Sequence, residues 1–373
     1  MIEKFSDPIL VSKTYLPDKL KFDALTEQLW KSRWLTNNGY FHNEFSEKLK
    51  QFLRVSNLTL FTNGTLALDI AIKAFKLKGE IITTPFTFVA TAHAISLNNI
   101  KPVFCDIELN TFNIDPNKIE SLITENTSAI LPVHVFGNPC AIDQIQKIAD
   151  KYRLKVIYDA AHAFNVFIDG KSIVEFGDAS MLSFHATKVF HTIEGGALVY
   201  PNSELEKIFY LYKNFGIENE DVISMVGTNA KMNEFQAIMG LLNLEIVEDE
   251  IMKRKNIVDR YKRNLDNVAG ISYIKDIPNV KHNWAYFPIL VEQDKFGYSR
   301  DELYNKLKDY NVFARKYFYP LCSNIEPYRN MAKTDLSNAN YVAQRVMTLP
   351  LYGELSLVDV DKICLIIDSI RKK

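Results

Sequence analysis

The sequence predicts an α/β protein built on a mostly parallel, buried sheet with a smaller α+β domain behind it, and three observations lead there. Between about residues 20 and 200, short β-branched or apolar runs alternate with segments of helical period, the pattern of strands joined by crossover helices. After Gly195-Gly196 the pattern changes to longer helices and then returns to short strands. The length of 373 residues exceeds what one simple core accommodates, so two domains are expected.

Taken in order, strands are expected at Leu58–Phe61, Glu80–Thr83, Lys101–Cys105, Ser128–Val133, Lys155–Tyr158, Ala179–Ser183 and Gly196–Val199. Helices fall between them. Thr65–Phe75 follows the Asn63-Gly64 turn, and Val89–Leu97, Pro116–Ile123 and Ala141–Tyr152, with Asp143 near its start, complete the crossovers. Beyond residue 200 come helices at Glu204–Asn214 and at Asn233–Tyr261, the second dense in Glu, Lys and Arg and expected to join the domains. Strands near Ile271–Ile274 and Trp284–Val291 and helices at Arg300–Tyr310 and Ser356–Ile370 form the remainder. The division expected is 1–245 for the larger domain and 246–373 for the smaller.

Composition narrows the function classes. Hydrophobic residues are 47% and charged residues 24%, ordinary for a globular enzyme. Lys plus Arg number 44 against 45 Asp plus Glu, so no overall field draws the chain to nucleic acid or an anionic membrane. The uncharged stretch from Ile81 to Ile100 carries four threonines, a histidine and two asparagines, unlike a membrane span. The N-terminus has no basic flank or apolar region of a signal peptide, so a cytoplasmic protein is expected. Cys105, Cys140, Cys322 and Cys364 are far apart and make no metal-binding spacing.

Three segments carry chemistry. Ser183-Phe184-His185-Ala186-Thr187-Lys188 follows a strand, where α/β enzymes present functional groups. An isolated lysine there is usually solvated, but Val156-Ile157-Tyr158-Asp159-Ala160-Ala161-His162 ends another apolar strand in an aspartate. Pyridoxal phosphate (PLP) chemistry needs such a pair: a lysine to hold the aldehyde and an acid to keep the pyridine nitrogen protonated. Asp159 also reads as a simple helix cap. The third segment, Phe61-Thr62-Asn63-Gly64-Thr65, is a strand, a turn and a helix start, whose Gly64 and Thr65 amides would cradle a phosphate with help from the Ser183 hydroxyl. Neither a Walker loop nor a GxGxxG fingerprint is present, so the phosphate belongs to neither ATP nor NAD.

Together these segments resemble the DegT/DnrJ/EryC1/StrS sugar aminotransferases. The likeness runs from Trp34-Leu35-Thr36-Asn37-Asn38-Gly39 to Tyr317-Phe318-Tyr319-Pro320-Leu321, through Thr62 to Thr65, Pro85 to Thr91, Asp159 to His162, Ser183 to Lys188, Glu194 to Ala197 and Gly227 to Met232. The resemblance implies the fold type I architecture of aspartate aminotransferase, with Lys188 as the Schiff-base lysine, Asp159 at the pyridine nitrogen and Phe88 on the ring face. Gly64, Thr65 and Ser183 would hold the phosphate and His162 would lie beside the phenolic oxygen, unless it is a core histidine. Asn229 would reach the phosphate of a neighbouring subunit's cofactor, implying a twofold homodimer with shared sites. Where the family usually has Arg, this chain has Lys231.

For substrate, the SFHxxK pattern around His185 and the Glu194-Gly195-Gly196 turn resemble the members that aminate a nucleotide-linked sugar at C4 rather than C3. The implied reaction takes dTDP-4-keto-6-deoxyglucose to the 4-amino sugar, with L-glutamate as donor and pyridoxamine phosphate carrying the amino group between two ping-pong halves. Arg315 and Tyr317 resemble the segment closing over substrate, with Arg315 or Lys316 meeting a diphosphate. Trp34 and Asn38 fall in the family's substrate-binding loop. The rival readings are a 3-keto sugar aminotransferase, a dehydratase of the same fold, against which Lys188 argues, and a regulatory protein that kept the fold.

Overall fold

The computed structural model describes residues 2–331 and 334–372. The central sheet contains β1 (Leu58–Phe61), β2 (Glu80–Thr83), β3 (Lys101–Phe104), β4 (Thr127–Leu131), β5 (Lys155–Asp159) and, after a small hairpin of β6 (Phe167–Ile168) and β7 (Lys171–Ser172), β8 (Ala179–Ser183) and β9 (Gly196–Val199). Their order is β1-β9-β8-β5-β4-β2-β3, and the pairs from β8 to β3 are parallel. Only β9 runs against its two neighbours, β1 and β8.

Adjacent strand residues point to opposite faces. Ile81, Ala129, Ile157, Met181 and Leu198 pack with the helices Gly64–Ala74, Val89–Leu97 and Leu205–Lys213 in one core. Ile82, Ile130, Val156, Leu182 and Ala197 meet Tyr40–Leu53, Ile142–Tyr152 and the first half of Glu234–Leu265 in the other. This double coverage is why the strands read as continuous apolar runs.

The 32-residue helix Glu234–Leu265 starts from a reciprocal cap between Asn233 and Gln236. Ile251 belongs to the large core and Ile257 to the smaller one, so this helix joins them. The smaller core surrounds an antiparallel sheet of β10 (Ile271–Tyr273), β12 (Pro288–Val291) and β13 (Val346–Thr348), while β11 (Val280–Lys281) extends the β6–β7 hairpin. The N-terminal segment also reaches the smaller core: Phe5 is buried there, and Ile9 bridges Val312. The sequence division at 245/246 falls inside the long helix.

Three local expectations are corrected. Pro116–Ile123 is an α-turn to Ile119 followed by 3-10 structure at Glu120–Leu122, where the Ser121 hydroxyl bonds back to the Lys118 carbonyl at 2.9 Å. The strand expected from Trp284 begins only at Pro288. Its first half is bent by His282 Nδ1 accepting from the Trp284 amide at 2.9 Å and Asn283 Oδ1 accepting from that of Ala285 at 3.1 Å. Helices Lys19–Ser32 and Tyr40–Leu53 precede β1, in a stretch of helical period where the sequence reading bounded no element. Among the described residues, no helix is long and apolar enough to cross a membrane.

Tyr40–Leu53 has no cap of its own. The buried Glu234 carboxylate supplies one from far along the chain, accepting from the Phe41 amide at 2.9 Å and the His42 amide at 3.0 Å. Glu234→Ala leaves two buried donors unpaired and is expected to cost about 2 kcal/mol or more, read as a lower urea midpoint at unchanged slope.

Candidate active site

A cavity of about 280 Å³, partly open to solvent, lies at the carboxyl ends of β1, β5 and β8. It gathers Gly64, Thr65, Phe88, Asp159, His162, Ser183, His185, Lys188, Arg315 and Tyr317 from segments spread over much of the sequence.

The turn after β1 forms the first part. Asn63 is extended and its Oδ1 accepts the Leu66 amide at 2.8 Å, which caps the helix but leaves the amides of Gly64 and Thr65 without a protein acceptor among the described residues. Ser183 faces this turn from β8: a Cβ on Gly64 would come 3.1 Å from Ser183 Cβ and 2.9 Å from Met181 Sδ. From the other side, a Cβ on Gly196 would lie 2.6 Å from the Asn63 carbonyl carbon and the Gly64 nitrogen. Two free amides at a helix start, with a hydroxyl opposite, are a donor set for a phosphate.

Asp159 closes β5 and is only 5% exposed. Its Oδ2 accepts the Thr91 hydroxyl at 2.7 Å and its Oδ1 the Ala161 amide at 3.0 Å, the second bond being also the local turn expected of a cap. Burial pushes its pKa up, against the pull of Thr91, Ala161 and Lys188. Lys188 is partly buried, and burial lowers its pKa while Asp159 and Tyr317 oppose the shift. The amine is thereby biased toward its neutral, nucleophilic form. Phe88 stands at the N-cap of Val89–Leu97 with 54% of its surface exposed, a ring at the cavity without a stacking partner among the described residues.

His162 is buried, and its Nδ1 accepts the Phe136 amide at 3.2 Å, which leaves the proton on Nε2. Burial and Lys188 hold its pKa well below the usual histidine value, so the ring is neutral. His185 is exposed at the rim, 2.8 Å from the Thr187 hydroxyl through Nδ1 and 3.5 Å from Glu194 through Nε2. Arg315 is fixed by two backbone bonds to Thr348, at 3.1 and 2.8 Å, and its guanidinium lies 4.7 Å from the Tyr317 ring.

Three expected residues are elsewhere on this chain. Trp34 and Asn38 belong to the turn before Tyr40–Leu53, where the Trp34 indole donates to the Asn37 carbonyl at 2.9 Å. Asn229 is exposed on a segment bridged to Asn214. Conversely, Thr91, Glu194 and Tyr286 belong to the site but were not among the site residues expected from the sequence, Glu194 having entered only as part of the turn that resembles C4-aminating members. Thr91 and Glu194 lie inside the quoted motifs; no sequence signal pointed to Tyr286.

A sequence profile of the DegT/DnrJ/EryC1/StrS aminotransferase family matches residues 18–368. The dTDP-4-amino-4,6-dideoxy-D-glucose transaminase of Shigella dysenteriae is 47% identical over 350 residues, 94% of this chain and 95% of that protein. The protein of the same name from Escherichia coli is 45% identical over 359 residues, 95% of this chain and 96% of its own length. Among solved structures, DesI in the presence of its TDP-sugar product superimposes with a TM-score of 0.94 at 32% identity, over 98% of this chain and 94% of that one. Helicobacter pylori PseC, an aminotransferase involved in the biosynthesis of pseudoaminic acid, gives 0.91 at 28%, over 98% and 99%.

The tight approach at Gly196 is testable. Gly196→Ala is expected to push the Asn63-Gly64 turn away and weaken binding of a phosphate-bearing ligand at this turn on the order of tenfold, measured by titration with pyridoxal phosphate.

Proposed function

The chain belongs to the DegT/DnrJ/EryC1/StrS aminotransferase family, and on that premise we propose that it moves an amino group from L-glutamate to C4 of dTDP-4-keto-6-deoxyglucose. The observation that carries this reading is the convergence of Lys188, Asp159 and the free Gly64 and Thr65 amides in one cavity. The choice of sugar follows the two relatives at 45–47% identity, whose names specify the 4-amino-4,6-dideoxyglucose product.

The donor set fits pyridoxal phosphate, which supplies, when bound, a ring that accepts electrons from the substrate carbon. The Gly64 and Thr65 amides and the Ser183 hydroxyl would hold the phosphate, Phe88 would cover a ring face, and His162 Nε2 would donate to the phenolic oxygen. Asp159 would keep a proton on the ring nitrogen. Lys188 Nζ would hold the aldehyde at rest and, once freed, would act as the base at glutamate Cα; with the keto sugar bound, the same nitrogen would act as the acid at sugar C4. His185 meets the sugar and Arg315 the diphosphate, with Tyr317 over the substrate.

The same proposal makes the enzyme a homodimer with shared sites, working in the cytoplasm. Four free, buried cysteines accord with a reducing compartment. Phe215, Ile223 and Val226, the last 92% exposed, neighbour the segment of Asn229 and give a partner subunit an apolar surface. Asn229 then contacts the partner's cofactor phosphate, and Trp34 and Asn38 contribute to a substrate-binding loop.

Incubation with glutamate and a panel of dTDP- and UDP-linked 3-keto and 4-keto sugars tests the substrate, the expected product being the dTDP-linked 4-amine by mass. Amination confined to 3-keto sugars would refute the assignment. Lys188→Ala should lose turnover on the order of 10³-fold while still binding pyridoxamine phosphate. Mixing an Asn229→Ala variant with Lys188→Ala, under conditions of demonstrated subunit exchange, should restore activity through heterodimers with one intact site. Without recovery, Asn229 serves its own chain.

A further inference from the structure

We infer that Thr91 is a positioning residue for this reaction, its hydroxyl, backed by that of Thr87, keeping the Asp159 carboxylate charged and aimed at the ring nitrogen. The inference rests on the cofactor reading above and adds residues to which that reading gives no part.

The direction of the hydrogen bonds follows from their chemistry. An ionised carboxylate only accepts, so at 2.7 Å the single hydroxyl proton of Thr91 goes to Asp159 Oδ2. The Thr91 oxygen, 2.9 Å from Thr87 Oγ1, is then left to accept, and the Thr87 hydroxyl is the donor. Two hydroxyls thus point the same way along the chain Thr87, Thr91, Asp159, each polarising the next in buried surroundings. Both threonines are buried.

A threonine inside a helix ordinarily bonds back to the carbonyl four residues earlier. For Thr91 that carbonyl belongs to Thr87, and it instead accepts from Cys322 Sγ at 3.3 Å, leaving the Thr91 hydroxyl committed to Asp159. Phe88 lies one turn earlier on the same segment, so a single helix start presents one side chain to the ring face and another to the acid.

The charged form of Asp159 needs this support. The ionisable groups acting on it or sensing its charge are Lys188 from the loop after β8 and Cys140 from the loop after β4; neutral His162 follows it in sequence. None of them makes a hydrogen bond to the carboxylate among the described residues, so Thr91 and the Ala161 amide are its recorded donors. Together they occupy one site on each oxygen, leaving the remaining lone pairs for the ring N–H. Without Thr91 the buried carboxylate loses one of its two donors, so its charged form is less stabilised and holds a proton on the ring less well.

The test uses holoenzyme loaded with PLP labelled with ¹⁵N in the ring, whose chemical shift reports protonation of that nitrogen at neutral pH independently of turnover. Thr91→Val keeps the shape and removes the hydroxyl. It should shift the signal toward the unprotonated nitrogen and lower kcat on the order of ten- to a hundredfold, with KM for the sugar little changed. Thr91→Ser should restore both, and Thr87→Val should fall between. A wild-type signal in folded Thr91→Val, or equal loss in Thr91→Ser, overturns the inference. If Thr91→Val does not fold, Thr91→Ser and Thr87→Val still decide it: a wild-type signal in Thr87→Val, or a shifted one in Thr91→Ser, counts against it. Asp159→Asn separates the two readings. A moved signal there with none in Thr91→Val removes only the role of Thr91, whereas an unmoved signal in Asp159→Asn removes the pairing of Asp159 with the ring.

Discussion

Burying the Asp159 carboxylate at the end of β5 obliges the protein to provide what water would have provided, and much of the site's arrangement follows from that obligation. A lone carboxylate in such a place drifts toward its neutral form. Thr91 and the Ala161 amide oppose the drift from the protein side, and a cation at the cavity would complete the compensation. Strand β5 sits between β4 and β8, in the middle of the sheet, paired on both sides.

The cradle at Gly64 depends on a different constraint, the reversed direction of β9. Because β9 is antiparallel to both neighbours, its N-terminal end arrives at the same rim as the carboxyl ends of β1 and β8. This brings Glu194 and Gly196 beside the Asn63-Gly64 turn, at a spacing that admits no side chain. Gln236 then ties both turns together, its Nε2 donating to Glu194 O at 2.5 Å and to Thr62 O at 3.3 Å.

Elements stabilised by their own residues were legible in the sequence. Leu58–Phe61, Glu80–Thr83, Ala179–Ser183, Gly196–Val199 and the helix Val89–Leu97 have the bounds that apolar patterning indicates. Elements stabilised from afar were not. Lys19–Ser32 buries only Leu29, and the start of Tyr40–Leu53 is satisfied by Glu234 from nearly two hundred residues away. The site divides similarly. Lys188, Asp159 and the Asn63-Gly64 turn lie in contiguous motifs, whereas Thr91 looks like any threonine in an apolar helix until Asp159, 68 residues on, is set against it. Trp34 and Asn38 were read from their motif, and this chain alone does not bring them to the cavity.

The helix Glu234–Leu265 has a bearing on how such enzymes can be recombined. Its first turns hold the cap of Tyr40–Leu53 and the loop carbonyls of Thr62, His191 and Glu194, while its last turns carry Ile257, Val258 and Tyr261 into the other core. A chimera spliced within it would pair one parent's loop supports with the other's packing surface. Crossovers between relatives are therefore better placed beyond Leu265, where the cavity-lining Arg315–Tyr317 segment travels with its own sheet and the loop supports of one parent stay together.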